Sequence, residues 1–400
     1  MKHCVFTVLL LAISYQLTVV SAQTYVWKNG YPLVEDPDSI TFVEPDMRAQ
    51  VVKMEKRTRS LPPFSCNSYI FHYPTKDYSG KPIWMSAELA LTDEQVETKH
   101  IGRMAMFNHY TISRSDECPS ATIGDLQGVA ITYGYAVVSA DHEGFGLTGD
   151  RNQAYCYGEA NARASIDALL AARDWLAAQG YTLSDTIINY GYSQGGQTTV
   201  AVIKLSQTEY KGRVHFLKSF AGAGPYDLAL TYKMFLKWEK IAQPIVLPMN
   251  VITTNELEFL NLDYKDIFQE PLASNVRSWI ISKRFSTSEL TPFIGHDSLK
   301  YVIQPAYMDS TSTEVQHLLQ YAQKNNLTQG WTPDADTEVM LFHSLKDDIV
   351  PPENTAKMHQ FFIENGASKA TLTMDNYGGH ITAGQTFYLY MMQELTNLNK

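Results

Sequence analysis

The sequence predicts an α/β protein: a mostly parallel sheet with helices on both faces and a largely helical insertion. Three observations carry the prediction. Short apolar runs such as "RMAMFNHY", "DTIINYGYS" and "TEVMLFHSL" lack polar alternation and read as strands buried on both faces. Amphipathic helical stretches interleave with them, as parallel pairing requires. The alternation lapses only between Tyr226 and Asp336, where Leu, Ile, Phe, Tyr and Trp recur at helical spacing in places.

Taken in order, the chain opens on a segment set apart from the fold. Lys2 and His3 precede the apolar run "VFTVLLLAI", and Val20-Ser21-Ala22 fits a small-residue cleavage site. Residues 1–22 read as a signal peptide, which predicts a secreted or periplasmic protein. That run is short for a membrane span, and no other stretch approaches ~18 uninterrupted apolar residues. The mature chain is therefore expected to carry no integral membrane segment. Residues 23–225 form the first part of the core, 226–336 a helical cap or lid, and 337–400 the second part of the core.

Within the core, residues 23–63 read as a polar, proline-broken arm. "SYIFHYPTKDYSGKPIWMSAELAL" reads as a hairpin turning at Asp77 to Gly80. "ITYGYAVVSAD" holds a strand ending at Asp141. In "NARASIDALLAARDWLAAQG" the positions Ala162, Ile166, Leu169, Leu170, Arg173 and Leu176 fall near one helical face, and Gly180 ends it. "QTTVAVIKLSQ" is a helix and "VHFLKSFAGAG" a strand. After the insertion come a strand over 337–345, the helix "NTAKMHQFFIENGA", the strand "KATLTMD" and a last helix, "TAGQTFYLYMMQELTNL".

Composition narrows the partners. Lys and Arg total 32 against 42 Asp and Glu, a net charge of −10, and the one basic run, "KMEKRTR", is short and mixed. Nucleic acid and anionic membrane are poor partners for such a chain. The 24 tyrosines within 12% aromatic content suffice for an aromatic-lined pocket. Beyond the signal segment lie Cys66, Cys118 and Cys156, whose spacing matches no zinc pattern. In an exported protein the simplest reading is one disulfide, Cys118 with Cys156, and one free thiol.

The chemistry-bearing motif is Gly191-Tyr192-Ser193-Gln194-Gly195. Alone it is weak: with Gly and Ser each near ~7% of residues, a chain of this length shows G-x-S-x-G by chance about one time in seven. Here a buried strand enters it and a helix leaves it, which is the context of a nucleophile elbow. Larger side chains at 191 and 195 would collide with neighbouring backbone, and Gly196 gives further room. Ser193 is the expected nucleophile.

A serine hydroxyl needs a base, and on such an elbow the partners follow in the order Ser, acid, His. "HSLKDDIVPP" offers Asp347 and its neighbour Asp348 directly after a strand; the D-x-I-V-P spacing favours Asp347. "NYGGHITAG" supplies His380, expected in a loop after the last strand. His109, His142 and His343 precede the acid and fit the order poorly. The oxyanion hole needs two N–H donors. One is expected from Gln194 and the other from the loop after "RMAMFNH", at Tyr110 or Thr111, with Tyr110 preferred. Asp141, His142 and Glu143 could look like a metal cluster, but consecutive residues rarely face one ion. They read as a strand-end turn shaping the pocket floor, and no metal or other cofactor is expected.

Together "SGKPIWMSAELAL", "YGYAVVSADHEGFG", "ASIDALLAARDW", "GYSQGG", the long insertion, "DDIVP" and "GGH" identify a member of the α/β-hydrolase superfamily. The chain resembles the secretory lipase family, the fungal lipase-A type and its bacterial relatives, over most of its mature length. It departs from them in carrying Ala140 before Asp141, where relatives commonly have proline. The resemblance implies hydrolysis of a small-molecule or lipid carboxylic ester through an acyl-enzyme, with the insertion as lid. Rival expectations are a secreted serine peptidase of the same superfamily, for which Glu256 and Glu258 could bind a substrate amine, and an acetyl or feruloyl esterase acting on plant polysaccharide. A binding module without activity would require loss of a triad member, and none is lost.

Overall fold

A computed structural model describes residues 64–122 and 125–398, together with four N-terminal strands, Tyr25–Lys28, Tyr31–Asp36, Ser39–Phe42 and Lys53–Leu61. The predicted signal segment and its cleavage site lie outside the described residues.

A nine-stranded sheet forms the centre. Its strands are β1 (Lys53–Leu61), β2 (Phe64–Lys76), β3 (Pro82–Leu91), β4 (Met104–Asn108), β5 (Ala136–Ala140), β6 (Ile187–Tyr192), β7 (Lys218–Gly222), β8 (Val339–Ser344) and β9 (Ala370–Asp375). Their order across the sheet is β9-β8-β7-β6-β4-β5-β3-β2-β1. Every pair from β9 to β5 is parallel. The β1, β2 and β3 strands extend the other edge antiparallel. The expected hairpin is the β2–β3 turn, where the Asp77 carboxylate accepts the N–H groups of Ser79 and Lys81 at 2.9 Å each.

The main helices are α1 (Asp125–Ile131), α2 (Gly158–Ala178) and α3 (Gln194–Gln207) before the insertion. Within it are α4 (Leu228–Phe235), α5 (Val246–Leu257), α6 (Thr287–Ile294) and α7 (Thr313–Lys324); after it come α8 (Glu353–Glu364) and α9 (His380–Leu398). Strand side chains alternate between two buried faces. Met104, Met106, Ile187 and Leu341 pack with α2, α3 and α8. Ala105, Phe107, Ile188, Tyr190 and Phe342 pack with α1 and α9. Both faces being dry, the strands need no polar alternation. Each large side chain so buried contributes about 1.5–3 kcal/mol. No helix among the described residues is long and apolar enough to cross a membrane.

Between β7 and β8 the described structure is helical apart from one isolated bridge, Phe268 to Ile303. Its apolar cluster includes Leu228, Tyr232, Leu247 and Leu290, and takes in Ile349 and Val350 from the loop after β8. The insertion therefore rests on the carboxyl edge of the sheet.

Three expectations need correction. The arm over 23–63 contains strands: a three-stranded antiparallel sheet within residues 25–42, then β1 on the main sheet. The β1 sequence is charged, as suits an edge strand that must not recruit another, and so lacks the apolar signal of the inner strands. Next, Cys118 and Cys156 form no disulfide. Cys118 packs with Ile112 and Phe145, whereas Cys156 belongs to the insertion's cluster, and both are free thiols pushed up to about 12, chiefly by burial. Finally, His380 is the first residue of α9 rather than a loop residue.

Candidate active site

Ser193 stands between β6 and α3 with φ 60° and ψ −125°. Such a conformation costs a non-glycine residue of order 1–3 kcal/mol and persists only where the surroundings over-determine it. Here they do. The Ser193 N–H donates to the Gly222 carbonyl at 2.8 Å. A Cβ at Gly191 would lie 2.5 Å from the Gly195 carbonyl; one at Gly195 would run into the carbonyl of Asn108, and one at Gly196 into that of Gly222. Beneath the turn, the Asn108 amide donates to Asn189 Oδ1 at 2.8 Å and to Thr199 Oγ1 at 3.0 Å. The Asn189 amide in turn donates to the Thr199 carbonyl at 3.0 Å. This buried network fastens β4, β6 and α3 together directly under the serine.

The expected acid, Asp347, lies just past β8. Asp347 Oδ2 is 2.6 Å from His380 Nδ1, and Asp347 Oδ1 accepts the N–H groups of Ile349 at 2.9 Å and Val350 at 2.7 Å. A carboxylate can only accept, so Nδ1 carries the proton and Nε2 is left as the basic nitrogen. Burial alone would raise the Asp347 carboxyl. The opposing charge of His380, with hydrogen bonds from His343 and His380, outweighs burial and holds it well below the usual carboxylate range. Asp348 does something else: its Oδ1 accepts the His380 backbone N–H at 2.9 Å. The Tyr192 hydroxyl donates to the His380 carbonyl at 2.8 Å. The sequence reading missed Tyr192 in this role, and it missed His343, whose Nε2 is 3.2 Å from Asp347 Oδ2. Residue 343 faces the acid because it lies four positions before it, across the bend at the end of β8.

Ser193 and His380 both line a cavity of about 450 Å³, whose wall also includes Gln194, Tyr110 and Thr111. Its other walls are mostly aliphatic and aromatic, with Leu228, Tyr232, Phe235, Val246 and Leu247 from the insertion, and Ile349 and Val350 from the loop carrying the acid. A mostly apolar cleft with a few convergent polar groups is the usual form of a small-molecule site.

Asp141, His142 and Glu143 are buried but do not line this cavity, contrary to the expected pocket-floor role. They face separate partners. Asp141 takes the Ser86 hydroxyl and the Ser120 N–H, His142 meets Ser165 Oγ at 3.2 Å, and Glu143 pairs with Arg151 at 2.8 Å. Among the described residues no His/Cys/Asp/Glu group is arranged to hold a metal ion. Glu256 and Glu258 also lie off the cavity, on Tyr264 and on Tyr157 and Lys324.

The fold defines the class: an α/β-hydrolase, shared with three solved structures. A Legionella pneumophila protein is 17% identical at TM-score 0.75, over 88% of this chain and 98% of its own. The rice cell wall degrading esterase LipA from Xanthomonas oryzae is 22% identical at TM-score 0.72, over 86% and 96%. Candida antarctica lipase A in its closed state is 17% identical at TM-score 0.61, over 88% and 83%. No curated relative matches the sequence. The secretory lipase family model matches residues 126–387, well over half of the chain, and the chain belongs to that family. It is a carboxylic ester hydrolase.

Proposed function

We propose that this protein is a secreted serine esterase or lipase working through Ser193, His380 and Asp347. The observation that carries the reading is the 2.6 Å contact of His380 Nδ1 with Asp347, on the wall of the cavity that Ser193 also lines. His380 Nε2 takes the proton as Ser193 Oγ attacks the ester carbonyl, and later gives it to the leaving alcohol. Asp347 fixes the tautomer and stabilises the imidazolium. The N–H of Gln194 and an N–H of the Tyr110 loop receive the oxyanion. Water then releases the acyl group. Residues 226–336 act as the cap that shapes access, between core parts 23–225 and 337–400, and the leader over 1–22 directs export.

A chain-length series of nitrophenyl esters tests this on wild type and Ser193→Ala, with fluorophosphonate labelling of both. Wild type is expected to turn over and label; the variant does neither. Equal turnover by the two overturns the reading. An acetyl or feruloyl ester of plant polysaccharide is a second substrate reading, favoured by the similarity to Xanthomonas oryzae LipA, a rice cell wall degrading esterase. Release of acetate or ferulate from xylan in the same assay decides between them.

A further inference from the structure

The loop after β4 offers two N–H groups near Ser193, those of Tyr110 and Thr111, and the peptide geometry separates them. Both peptides are trans, the one cis bond among the described residues being Glu270–Pro271. In a trans peptide the C=O and the N–H point in opposite directions. The His109 carbonyl oxygen faces the elbow, 2.9 Å from where a Cβ on Gly195 would stand. The Tyr110 N–H of that same peptide is therefore turned away from the elbow. In the next peptide the Tyr110 carbonyl accepts from His109 Nδ1 at 2.7 Å, so the Thr111 N–H points away from the buried imidazole.

The surroundings support that orientation. His109 is buried beneath the loop, its ring 4.3 Å from the ring of His142, and its Nε2 lies 3.2 Å from the Asp141 carbonyl. Thr111 is held on its other side through Oγ1, 3.2 Å from the Tyr155 hydroxyl. Thr111 and Gln194 both line the cavity, and neither N–H donates to an acceptor among the described residues. Gln194 opens a helix, whose first N–H groups have no partner within it, and an N–H left free on a cavity wall can meet a bound oxygen. A bound anionic oxygen suits two such donors beside a nucleophile.

We propose that the N–H groups of Thr111 and Gln194, rather than that of Tyr110, form the oxyanion hole, and that His109 is a positioning residue for it. His109 acts by gripping the carbonyl of the peptide whose N–H donates. As the Ser193 Oγ–carbon bond forms, the electron pair of the breaking C=O π bond moves onto oxygen, and the two N–H groups meet that charge. His109 itself touches no substrate. The inference rests on Ser193 being the nucleophile.

The test measures kcat and KM for nitrophenyl butyrate in five variants: Ser193→Ala, Thr111→Pro, Tyr110→Pro, His109→Leu and His109→Gln. Thermal melting of each confirms folding. Proline at 111 deletes the proposed donor and is expected to lower kcat about 10²–10³-fold with KM within about threefold. Proline at 110 deletes the other N–H and is expected to cost at least tenfold less. His109→Leu lowers kcat about 10–100-fold, and His109→Gln recovers most of that because its amide can still donate to the Tyr110 carbonyl. A Tyr110→Pro loss exceeding that of Thr111→Pro overturns the donor assignment. Unchanged kcat in a folded His109→Leu, or no recovery in His109→Gln, overturns the positioning role. If Thr111→Pro does not fold, the His109 pair decides alone. A Ser193→Ala protein that keeps activity removes the serine reading and this inference together; an inactive one isolates the outcome to Thr111 and His109.

Discussion

His380 and Asp347 meet at 2.6 Å, whereas Asp348, the adjacent residue, binds only the backbone of His380. Two neighbouring carboxylates thus hold one histidine by its ring and by its main chain. Asp347→Asn leaves the wrong donor facing Nδ1 and should lower kcat about 10³–10⁴-fold. Asp348→Asn keeps an oxygen that can accept the N–H and should cost about tenfold or less. Ester turnover of the two variants checks this; the reverse ranking reassigns the acid.

The depressed Asp347 carboxyl predicts a pH signature in stability. A carboxyl whose folded value lies below its unfolded value near ~3.9 contributes stability above that pH. The contribution is lost as pH falls through the folded value. The difference in unfolding free energy between wild type and Asp347→Asn should persist at about pH 5 and shrink only below about pH 4. Urea unfolding across that range reads it.

Lys283 gives the same direction of pH dependence in a more alkaline window. Burial lowers its ammonium to about 8, while its Nζ donates to the carbonyls of Gly149, at 2.7 Å, and Arg151. Between that value and the unperturbed ~10.4 the unfolded chain binds the extra proton. The Lys283 contribution to stability should therefore rise with pH through this window. Unfolding of wild type against Lys283→Met between about pH 7 and pH 10 measures the slope, and a falling difference contradicts it.

Gly196→Ala should be damaging despite adding one methyl group. Its Cβ runs into the Gly222 carbonyl, which also holds the Ser193 N–H. We expect a loss of about 1–3 kcal/mol in stability and a larger proportional loss in kcat, read by melting and by ester turnover. Gly212→Ala serves as the comparison: its φ of +79° strains any replacement, but no atom lies within 4 Å of the new Cβ.

Cys118 and Cys156 should both react with a thiol reagent in the unfolded, unreduced protein, since neither is in a disulfide. They should resist it in the folded state, where burial keeps the thiolate scarce. A count of reactive thiols on Cys118→Ser and Cys156→Ser, with and without denaturant, shows the difference.

The inner strands were legible in sequence because both faces are dry: Met104 to Phe107 and Val339 to Phe342 are apolar without interruption. The elbow was legible because its glycines are a local necessity. What escaped notice depends on contacts distant in sequence or on weak local patterning. The charged β1 strand has little apolar content to announce it, and the short helices around Asp93 and Asp125 offer too few turns for periodicity. The Asn108–Asn189–Thr199 network and the grip of Tyr192 on His380 join segments far apart in the chain, so no spacing rule reaches them. Asp347 could be ranked above Asp348 by its spacing to Ile349 and Val350. Their division of labour at His380 needed the fold.

The close approach of Gly195 to the carbonyls of Asn108 and His109 has a practical meaning. The turn bearing Ser193 and the loop bearing Thr111 are cast as one piece, and neither can be lengthened or enlarged without displacing the other. Substitutions meant to change the cavity are thus better made at Leu228, Tyr232, Phe235, Val246 and Leu247 than in either of these two segments.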